Sequence, residues 1–206
     1  MPVRLLPRRF FARDPRRVAR ELLGKLLIRR KGRKRLAGRI VEVEAYLGRG
    51  EPAAHAAAGM TARNRVLFGP PGHAYVYFIY GNHFCLNVSC QPAGEAGCVL
   101  IRALEPLSGL EEMARARLRR DAHLYGRGVA KHELTTGPGR LCQALGITRT
   151  RDNGKDLTRP GSGLWIAGDG FRPRRVRRTP RIGIAKAGDR PLRYTIAGND
   201  FVSAKR

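Results

Sequence analysis

Long apolar runs are missing from this sequence, and so is an export signal. No apolar stretch approaches the roughly 18 residues that a transmembrane helix needs. The first residues, Met1–Arg20, contain no apolar core of the kind that a secretory signal has. The sequence therefore predicts a cytoplasmic protein without a membrane anchor.

Cysteines are few, and the common metal-binding spacings do not occur. The four cysteines are Cys85, Cys90, Cys98 and Cys142, with no C-x-x-C pair among them. The five histidines do not cluster, and there is no H-E-x-x-H motif. We therefore expect buried, reduced thiols and neither a metal site nor a metal cofactor.

Acidic residues are scarce, whereas basic residues are abundant. The 16 Asp and Glu face 41 Lys and Arg, which gives a formal net charge of +25. Only seven of the cations are Lys, and an arginine-rich segment lies at Arg172–Arg181. The guanidinium fork suits phosphates and stacks on bases, so the charge favours a nucleic acid partner. The alternative is a solvated surface rich in arginine. A hydrophobic fraction of 42% is enough for a core and excludes disorder throughout.

The pattern of short strands and helices predicts one α+β domain over residues 1–206, with a largely antiparallel sheet. Asp14-Pro15 is typical of a helix start, and Gly24 of its end. Ser108 and Glu111 form a potential capping box for a helix that runs to Arg119. A further short helix follows Gly137-Pro138-Gly139. The predicted strands are Leu26–Ile28, Leu36–Leu47, Ala74–Tyr80, His83–Ser89, Cys98–Leu104, Leu164–Ala167, Ile182–Ala185 and Leu192–Ala197.

Polar and apolar residues alternate strictly in the stretch Arg39–Tyr46, which predicts a half-buried strand. Alternate side chains share a face, so Glu42, Glu44 and Tyr46 point one way. Two carboxylates and a phenol beside an apolar wall could supply a general base. The other reading is an ordinary solvated face of an amphipathic strand.

The stretch Ala74–Cys85 predicts a β-hairpin that turns at Gly81-Asn82. Tyr80 would then stand at its tip and face water. An enzyme that extrudes a base from a duplex often inserts a side-chain wedge into the gap. Alternatively, Tyr80 folds back onto its own sheet.

Together, these segments resemble the alkyladenine, or 3-methyladenine, DNA glycosylases of the mammalian type, which also occur in bacteria. The similarity runs nearly end to end, in the family's order and spacing. The matching stretches are Ala19–Leu27, Gly38–Gly48, Thr61–Arg65, Phe68–Asn87, Val99–Pro106, Gly137–Leu145, Pro180–Ile184 and Pro191–Tyr194. The resemblance implies a curved antiparallel sheet with surrounding helices and a protruding β-hairpin.

The resemblance also implies roles for individual residues. Glu44 matches the general base that activates the attacking water, and Arg102 matches the arginine that helps to hold it. Tyr46 and Tyr77 match aromatic walls that sandwich a flipped base. His55 matches a residue that contacts this base and closes the pocket, and Asn87 one that excludes normal guanine.

Four more positions match residues that contact DNA in the family. Tyr80 matches the intercalating tyrosine, and Arg63 and Arg140 fall where the family contacts the DNA backbone. Asn82 stands where the family usually has Met, which removes an apolar flank from the wedge. Arg140 replaces a typical Lys and keeps its charge.

The implied activity is hydrolysis of the N-glycosidic bond of damaged purines in duplex DNA, which leaves an abasic site. The expected lesions are 3-methyladenine and 7-methylguanine, and hypoxanthine or ethenoadenine would extend this range. No lysine lies in a matched motif near Glu44, so we expect no lyase activity, because a Schiff base needs an amine. The resemblance implies no cofactor, double-stranded DNA as the partner, a monomer and a nucleoid-associated location. The alternative is a non-catalytic nucleic-acid-binding protein, and a third reading is an enzyme that acts on free nucleosides.

Overall fold

A single antiparallel sheet organises the computed structural model, which describes residues 3–79, 81–124, 126–184 and 186–203. Within these residues the sheet has nine strands. The strands are β1 (Arg4–Leu5), β2 (Leu26–Lys31), β3 (Lys34–Tyr46), β4 (Ala74–Ile79), β5 (His83–Cys90), β6 (Gly97–Ser108), β7 (Leu164–Gly168), β8 (Val176–Thr179) and β9 (Arg193–Ile196). Their order is β1-β7-β2-β3-β6-β5-β4, and β9 pairs with both β3 and β8. With the helices around it, this architecture confirms the α+β prediction.

Short helices surround the sheet. They are α1 (Arg8–Phe11), α2 (Pro15–Leu22), α3 (Leu110–Leu118), α4 (Pro138–Ala144) and α5 (Arg149–Asp152). The predicted start of α2 is confirmed, because the side chain of Asp14 accepts a hydrogen bond from the amide of Arg16 at 2.8 Å. Single turns of 3₁₀ helix occur at Arg65–Phe68, Ala122–Leu124, Lys131–Glu133 and Pro160–Ser162.

The predicted capping box at Ser108 is wrong. Ser108 is the last residue of β6 and pairs with Ala37, so its backbone is extended. The residue that precedes α3 is Gly109, which has a left-handed backbone with φ of 75° and no capping side chain. The strand therefore continues up to the residue before the helix, and a glycine makes the sharp change of direction.

Strand β3 is the centre of the sheet, and both of its faces are covered. Its alternate residues Val41, Val43 and Ala45 join the main core, to which Val18 and Leu22 of α2 also belong. The register between β3 and β6 shifts at three residues, Val41, Arg102 and Leu107, each an extra residue in one of the two strands. Such bulges re-aim side chains and are common next to functional sites.

One predicted strand is wrong, and several predicted strand ends differ from the structure. The segment Ile182–Ile184 is not a strand but a bend, and Ala185 lies outside the described residues. The strand in this region is β8, which the sequence pattern did not indicate. β4 ends at Ile79, which pairs with His83, and residues 80–82 connect the two strands. Gly81 in this connection has φ of 70°, and Tyr80 lies outside the described residues.

Within the described part of the chain, no helix is both long and apolar enough to cross a membrane. Those residues also contain no group of three or more His, Cys, Asp and Glu side chains that could hold a metal ion.

Candidate active site

A row of paired residues crosses the sheet and carries the candidate site. Glu44 of β3 pairs with Leu100 of β6, which pairs with Asn87 of β5, which in turn pairs with Tyr75 of β4. On the other side, Glu44 pairs with Arg193 of β9. Directly paired residues point to the same face. The row therefore brings a carboxylate, an amide, a phenol and a guanidinium to one face of the sheet.

Glu44 is fully buried and is held on three sides. Its Oε1 accepts a hydrogen bond from the amide of Ile182 at 2.8 Å and lies 3.2 Å from Nη1 of Arg102. Its Oε2 accepts a hydrogen bond from the hydroxyl of Tyr46 at 2.9 Å. Burial, and then the neighbouring carboxylate of Glu44, raises the pKa of Tyr46, so the phenol keeps its proton and remains a donor. The reading of this strand face as solvated is wrong.

Glu42 is also fully buried, but its carboxylate is surrounded by donors. Its Oε1 accepts hydrogen bonds from Nε of Arg102 at 2.9 Å, Nε of Arg193 at 2.7 Å and the hydroxyl of Ser203 at 2.8 Å. Its Oε2 accepts a hydrogen bond from the amide of Ser203 at 2.7 Å. Two guanidinium groups and the backbone and side chain of Ser203 therefore hold Glu42 in place.

Arg102 connects the two carboxylates. Its Nε binds Glu42 and its Nη1 reaches Glu44. Burial alone would lower the pKa of Arg102, but the charges of Glu44 and Glu42 raise it above its ordinary value. Arg193 balances the second negative charge, since its Nε binds Glu42. The cluster of two carboxylates and two guanidinium groups is therefore neutral, which offsets much of the desolvation penalty of burying it.

A second buried ion pair lies beneath Tyr46. Arg181 and Glu51 are 0% and 2% exposed, and Nη2 of Arg181 donates to Oε1 of Glu51. Arg181 also donates to the carbonyl of Ala45 at 3.0 Å, and its guanidinium stacks 4.6 Å from the centre of the Tyr46 ring. Since Arg181 directly precedes Ile182, the pair fixes the amide that binds Glu44.

Aromatic rings form the wall beside the carboxylates. The rings of His55 and Tyr77 meet edge to face at 4.4 Å, and those of Tyr75 and Tyr77 lie 5.6 Å apart. Nδ1 of His55 is 2.9 Å from the hydroxyl of Tyr75. Burial of the His55 ring, and then the positive charge of Arg63, lowers the pKa of His55. Tyr77 and Tyr46 pack against the same small apolar cluster, which includes Phe68.

Asn87 and two cysteines complete this face. The side-chain amide of Asn87 donates to the carbonyl of Tyr75 at 3.3 Å, and Sγ of Cys98 lies 3.7 Å from its oxygen. Burial raises the pKa of Cys85 to about 11 and that of Cys98 to about 12. Both thiols are therefore protonated near neutral pH and are poor nucleophiles. The prediction of buried, free cysteines is confirmed for all four.

The structure brings most, but not all, of the predicted site residues together. Glu44, Arg102, Tyr46, Tyr77, His55 and Asn87 share one face of the sheet or its rim. Arg63 is exposed near this group, with its guanidinium 5.7 Å from the Tyr77 ring. Asn82 is exposed in the β4–β5 connection, and Arg140 is half-buried in α4, which packs on β5. Tyr80 lies outside the described residues.

Comparison with known proteins gives a consistent result. Residues 9–200 match the family described as methylpurine-DNA glycosylase. The chain belongs to this family. A protein of Koribacter versatilis assigned as a 3-methyladenine DNA glycosylase is 63% identical over 201 residues, which cover 98% of this chain and 94% of its own. Proteins of Burkholderia cenocepacia and Methanocella arvoryzae with the same assignment are each 48% identical, over 98% and 100% of this chain and 92% and 98% of theirs.

Membership of the methylpurine-DNA glycosylase family identifies the chain as a DNA glycosylase of base excision repair. Sequence reasoning did not assign a role to several residues that shape the site. Arg181, Ile182 and Arg193 all lie in stretches that resemble the family, so a signal was present, although nothing indicated their contacts. For Glu51 no signal exists, because its partner Arg181 is 130 residues away.

Proposed function

We propose that this protein removes 3-methyladenine and related alkylated purines from duplex DNA by hydrolysing the N-glycosidic bond, with Glu44 as the general base. The relatives assigned as 3-methyladenine DNA glycosylases support the substrate class. The geometry of the two buried carboxylates supports the choice of the base.

The single observation that carries this proposal is the difference between Glu44 and Glu42. Both carboxylates are buried on one strand, two residues apart. Glu42 is bound by the guanidinium groups of Arg102 and Arg193 and by the hydroxyl and amide of Ser203, three of these donors on Oε1 and one on Oε2. Glu44 has two hydrogen bonds and one ion pair, so its Oε2 retains acceptor capacity for the O–H of a water. A general base must accept a proton next to the substrate, and Glu44 is the carboxylate that adjoins the aromatic wall, through its hydrogen bond with Tyr46.

The chemistry of the leaving group fits a site with one carboxylate base. Alkylation at N3 or N7 makes the purine cationic, so it leaves the sugar with little help from an acid. As the bond lengthens, positive charge develops on the sugar, and the Glu44 carboxylate stabilises it. Glu44 then takes a proton from the attacking water, while Arg102 holds the carboxylate in place through Nη1. Carbon–oxygen bond formation yields an abasic site and a free base.

Recognition of the base rests on the aromatic wall. Tyr46 and Tyr77 would stack on an extruded purine, and a cationic ring is attracted to an aromatic face by about 0.5–2 kcal/mol. His55, with its lowered pKa, is neutral near pH 7 and does not repel a cationic base. Asn87, held by the Tyr75 carbonyl, would exclude the exocyclic amine of normal guanine.

Contacts with the duplex are proposed for residues outside this wall. Arg63 and Arg140 would bind phosphates, which position the duplex without reading its sequence. Tyr80 would occupy the space that the extruded base leaves, and exposed Asn82 would lie beside it. This set of residues rests on the family resemblance.

Incubation with duplexes that each carry one lesion tests this proposal. Hot alkali converts abasic sites into strand breaks, so breaks are expected at 3-methyladenine and 7-methylguanine only after alkali. Borohydride present during turnover is expected to trap no protein–DNA adduct, since hydrolysis uses water. Strand breaks without alkali, or a trapped adduct, would show lyase activity.

Two other functions are separated by the same assay. A non-catalytic nucleic-acid-binding protein would bind the duplex and release no base. An enzyme for free nucleosides would release bases from alkylated nucleosides at least as well as from duplex DNA. Neither alternative accounts for a buried carboxylate beside an aromatic wall in a chain with a net charge of +25.

A further inference from the structure

A large basic groove lies between α2 and the arginine-rich segment that leads into β8. Its volume is about 1060 Å³. The cations that line it are Arg16, Arg17, Arg20, Lys25, Arg172, Arg174 and Arg178, and the only acid among its lining residues is Glu21. Apolar residues that include Leu23, Phe171 and Tyr194 complete the lining. Positive charge therefore dominates the groove.

This groove is on the opposite face of the sheet from Glu44. On β9, Arg193 points toward Glu42, so its neighbour Tyr194, which lines the groove, points the other way. On β8, Thr179 accepts a hydrogen bond from Arg193, whereas the guanidinium of Arg178 lies 5.8 Å from the Tyr194 ring. The two faces therefore carry separate sets of side chains.

Most of the groove's charge is not neutralised within the protein. Arg16 pairs with Asp14, and Arg17 and Arg13 share Glu21. Four further lining cations, on α2, at its end and in the segment before β8, are Arg20, Lys25, Arg172 and Arg174. Among the described residues, no acidic side chain forms an ion pair with any of these four. The three arginines of this set are exposed, and the lysine is half-buried. Like charges around one groove repel each other, and this repulsion is relieved when an anion binds.

We propose that this groove binds the phosphate backbone of a second segment of DNA, distinct from the segment whose damaged base enters the Glu44 site. The cations line two sides of the groove, α2 on one and residues 171–178 on the other, so a charged strand between them meets cations on both sides. All of these cations except Lys25 are arginines, whose guanidinium groups bind phosphates in a fork–fork geometry. The protein then holds two duplex segments at once, one on each face of its sheet.

Energy transfer between a donor-labelled and an acceptor-labelled short duplex, both undamaged, tests this proposal. Wild-type protein is expected to bring the two together, and an excess of protein to separate them again. The variant with Arg20, Lys25, Arg172 and Arg174 all changed to Gln is expected to bind the second duplex about tenfold or more weakly. Its salt slope for that step should fall by up to about 3.6, or about 0.9 for each phosphate that the variant no longer neutralises. Replacing Arg172 and Arg174 by Lys instead should retain most of the binding.

The matched control removes the same charge elsewhere. Arg30, Arg33, Arg119 and Arg120 are exposed residues outside the groove, and their fourfold change to Gln should leave the bridging intact. Base release from a short lesion-bearing duplex at saturation should be unchanged in both variants, which separates this proposal from the one about Glu44. Undiminished bridging by the groove variant, or equal loss in the control, would overturn the proposal. A wild-type protein that bridges no duplexes would also overturn it. If the groove of that protein binds polyglutamate instead, the partner is an acidic protein.

Discussion

Tyr46 donates a hydrogen bond from its hydroxyl to Oε2 of Glu44, two residues earlier on the same strand, at 2.9 Å. The contact joins the proposed base to one wall of the proposed pocket. The guanidinium of Arg181 stacks on the Tyr46 ring. The next residue, Ile182, donates a hydrogen bond from its amide to the other oxygen of Glu44. The wall and the base are thus positioned by one set of contacts.

Removal of the Tyr77 ring should weaken lesion recognition selectively. Tyr77→Leu removes a surface on which an extruded base stacks, and such stacking contributes about 1–3 kcal/mol, or about 5- to 150-fold in affinity. Gel-shift titrations should show this weakening for lesion-bearing duplex and none for undamaged duplex. Tyr77→Phe keeps the ring and should bind as wild type does. Equal weakening for both duplexes in Tyr77→Leu would assign Tyr77 to general DNA binding.

Loss of one partner of the buried pair Arg181–Glu51 should lower the stability of the protein more than loss of both. Arg181→Met leaves the carboxylate of Glu51 buried without its cation, and such a change lowers the free energy of unfolding by about 3–5 kcal/mol. Glu51→Leu alone should have a similar effect. The double variant removes both charges and should be clearly more stable than either single variant in urea denaturation. Additive effects in the double variant would show that packing on Tyr46, and not charge, explains the result.

His55 should control the acid side of the pH profile for a cationic lesion. The pKa of His55 is lowered below the ordinary histidine value near 6.5. The imidazole is therefore neutral above that pH and gains a proton only below it. An imidazolium in the wall would repel 7-methylguanine. Single-turnover release should therefore slow as the pH falls through the pKa of His55. In His55→Gln this part of the decline should disappear, and an unchanged acid limb would exclude His55 as its cause.

Arg63 should contribute one phosphate contact. Arg63→Gln is expected to weaken binding to all duplexes by a similar factor and to lower the slope of log affinity against log salt by about 0.9. Arg33→Gln, an exposed change in the β2–β3 turn, is the matched control and should leave the slope unchanged. A change in lesion preference without a change in slope would place Arg63 in the base pocket instead.

Local signals predicted those parts of the fold that depend on neighbouring residues. Asp14-Pro15 predicted the start of α2 because capping is a contact within one turn. The alternation of Glu42, Glu44 and Tyr46 predicted their common face because alternate side chains of one strand point the same way. The prediction of a capping box at Ser108 failed because strand pairing with Ala37 overrides the local capping preference.

Contacts between distant segments could not be predicted in this way. Alternation shows that two faces differ, but not that the sheet is covered on both, so it could not distinguish a buried Glu44 from a solvated one. Glu51 meets Arg181, and Glu42 meets Ser203, only because the chain returns to β3 after more than a hundred residues. The family resemblance supplied the roles that no local pattern could.

The central claim is that Glu44 is the general base, and the rate of base release by Glu44→Gln tests it most directly. Gln preserves the size of the side chain but cannot accept the proton of water. Single-turnover release from a lesion-bearing duplex should therefore fall by about 10²–10⁴-fold, while lesion affinity in a gel shift is retained. Release at a rate near that of the wild type would contradict the mechanism.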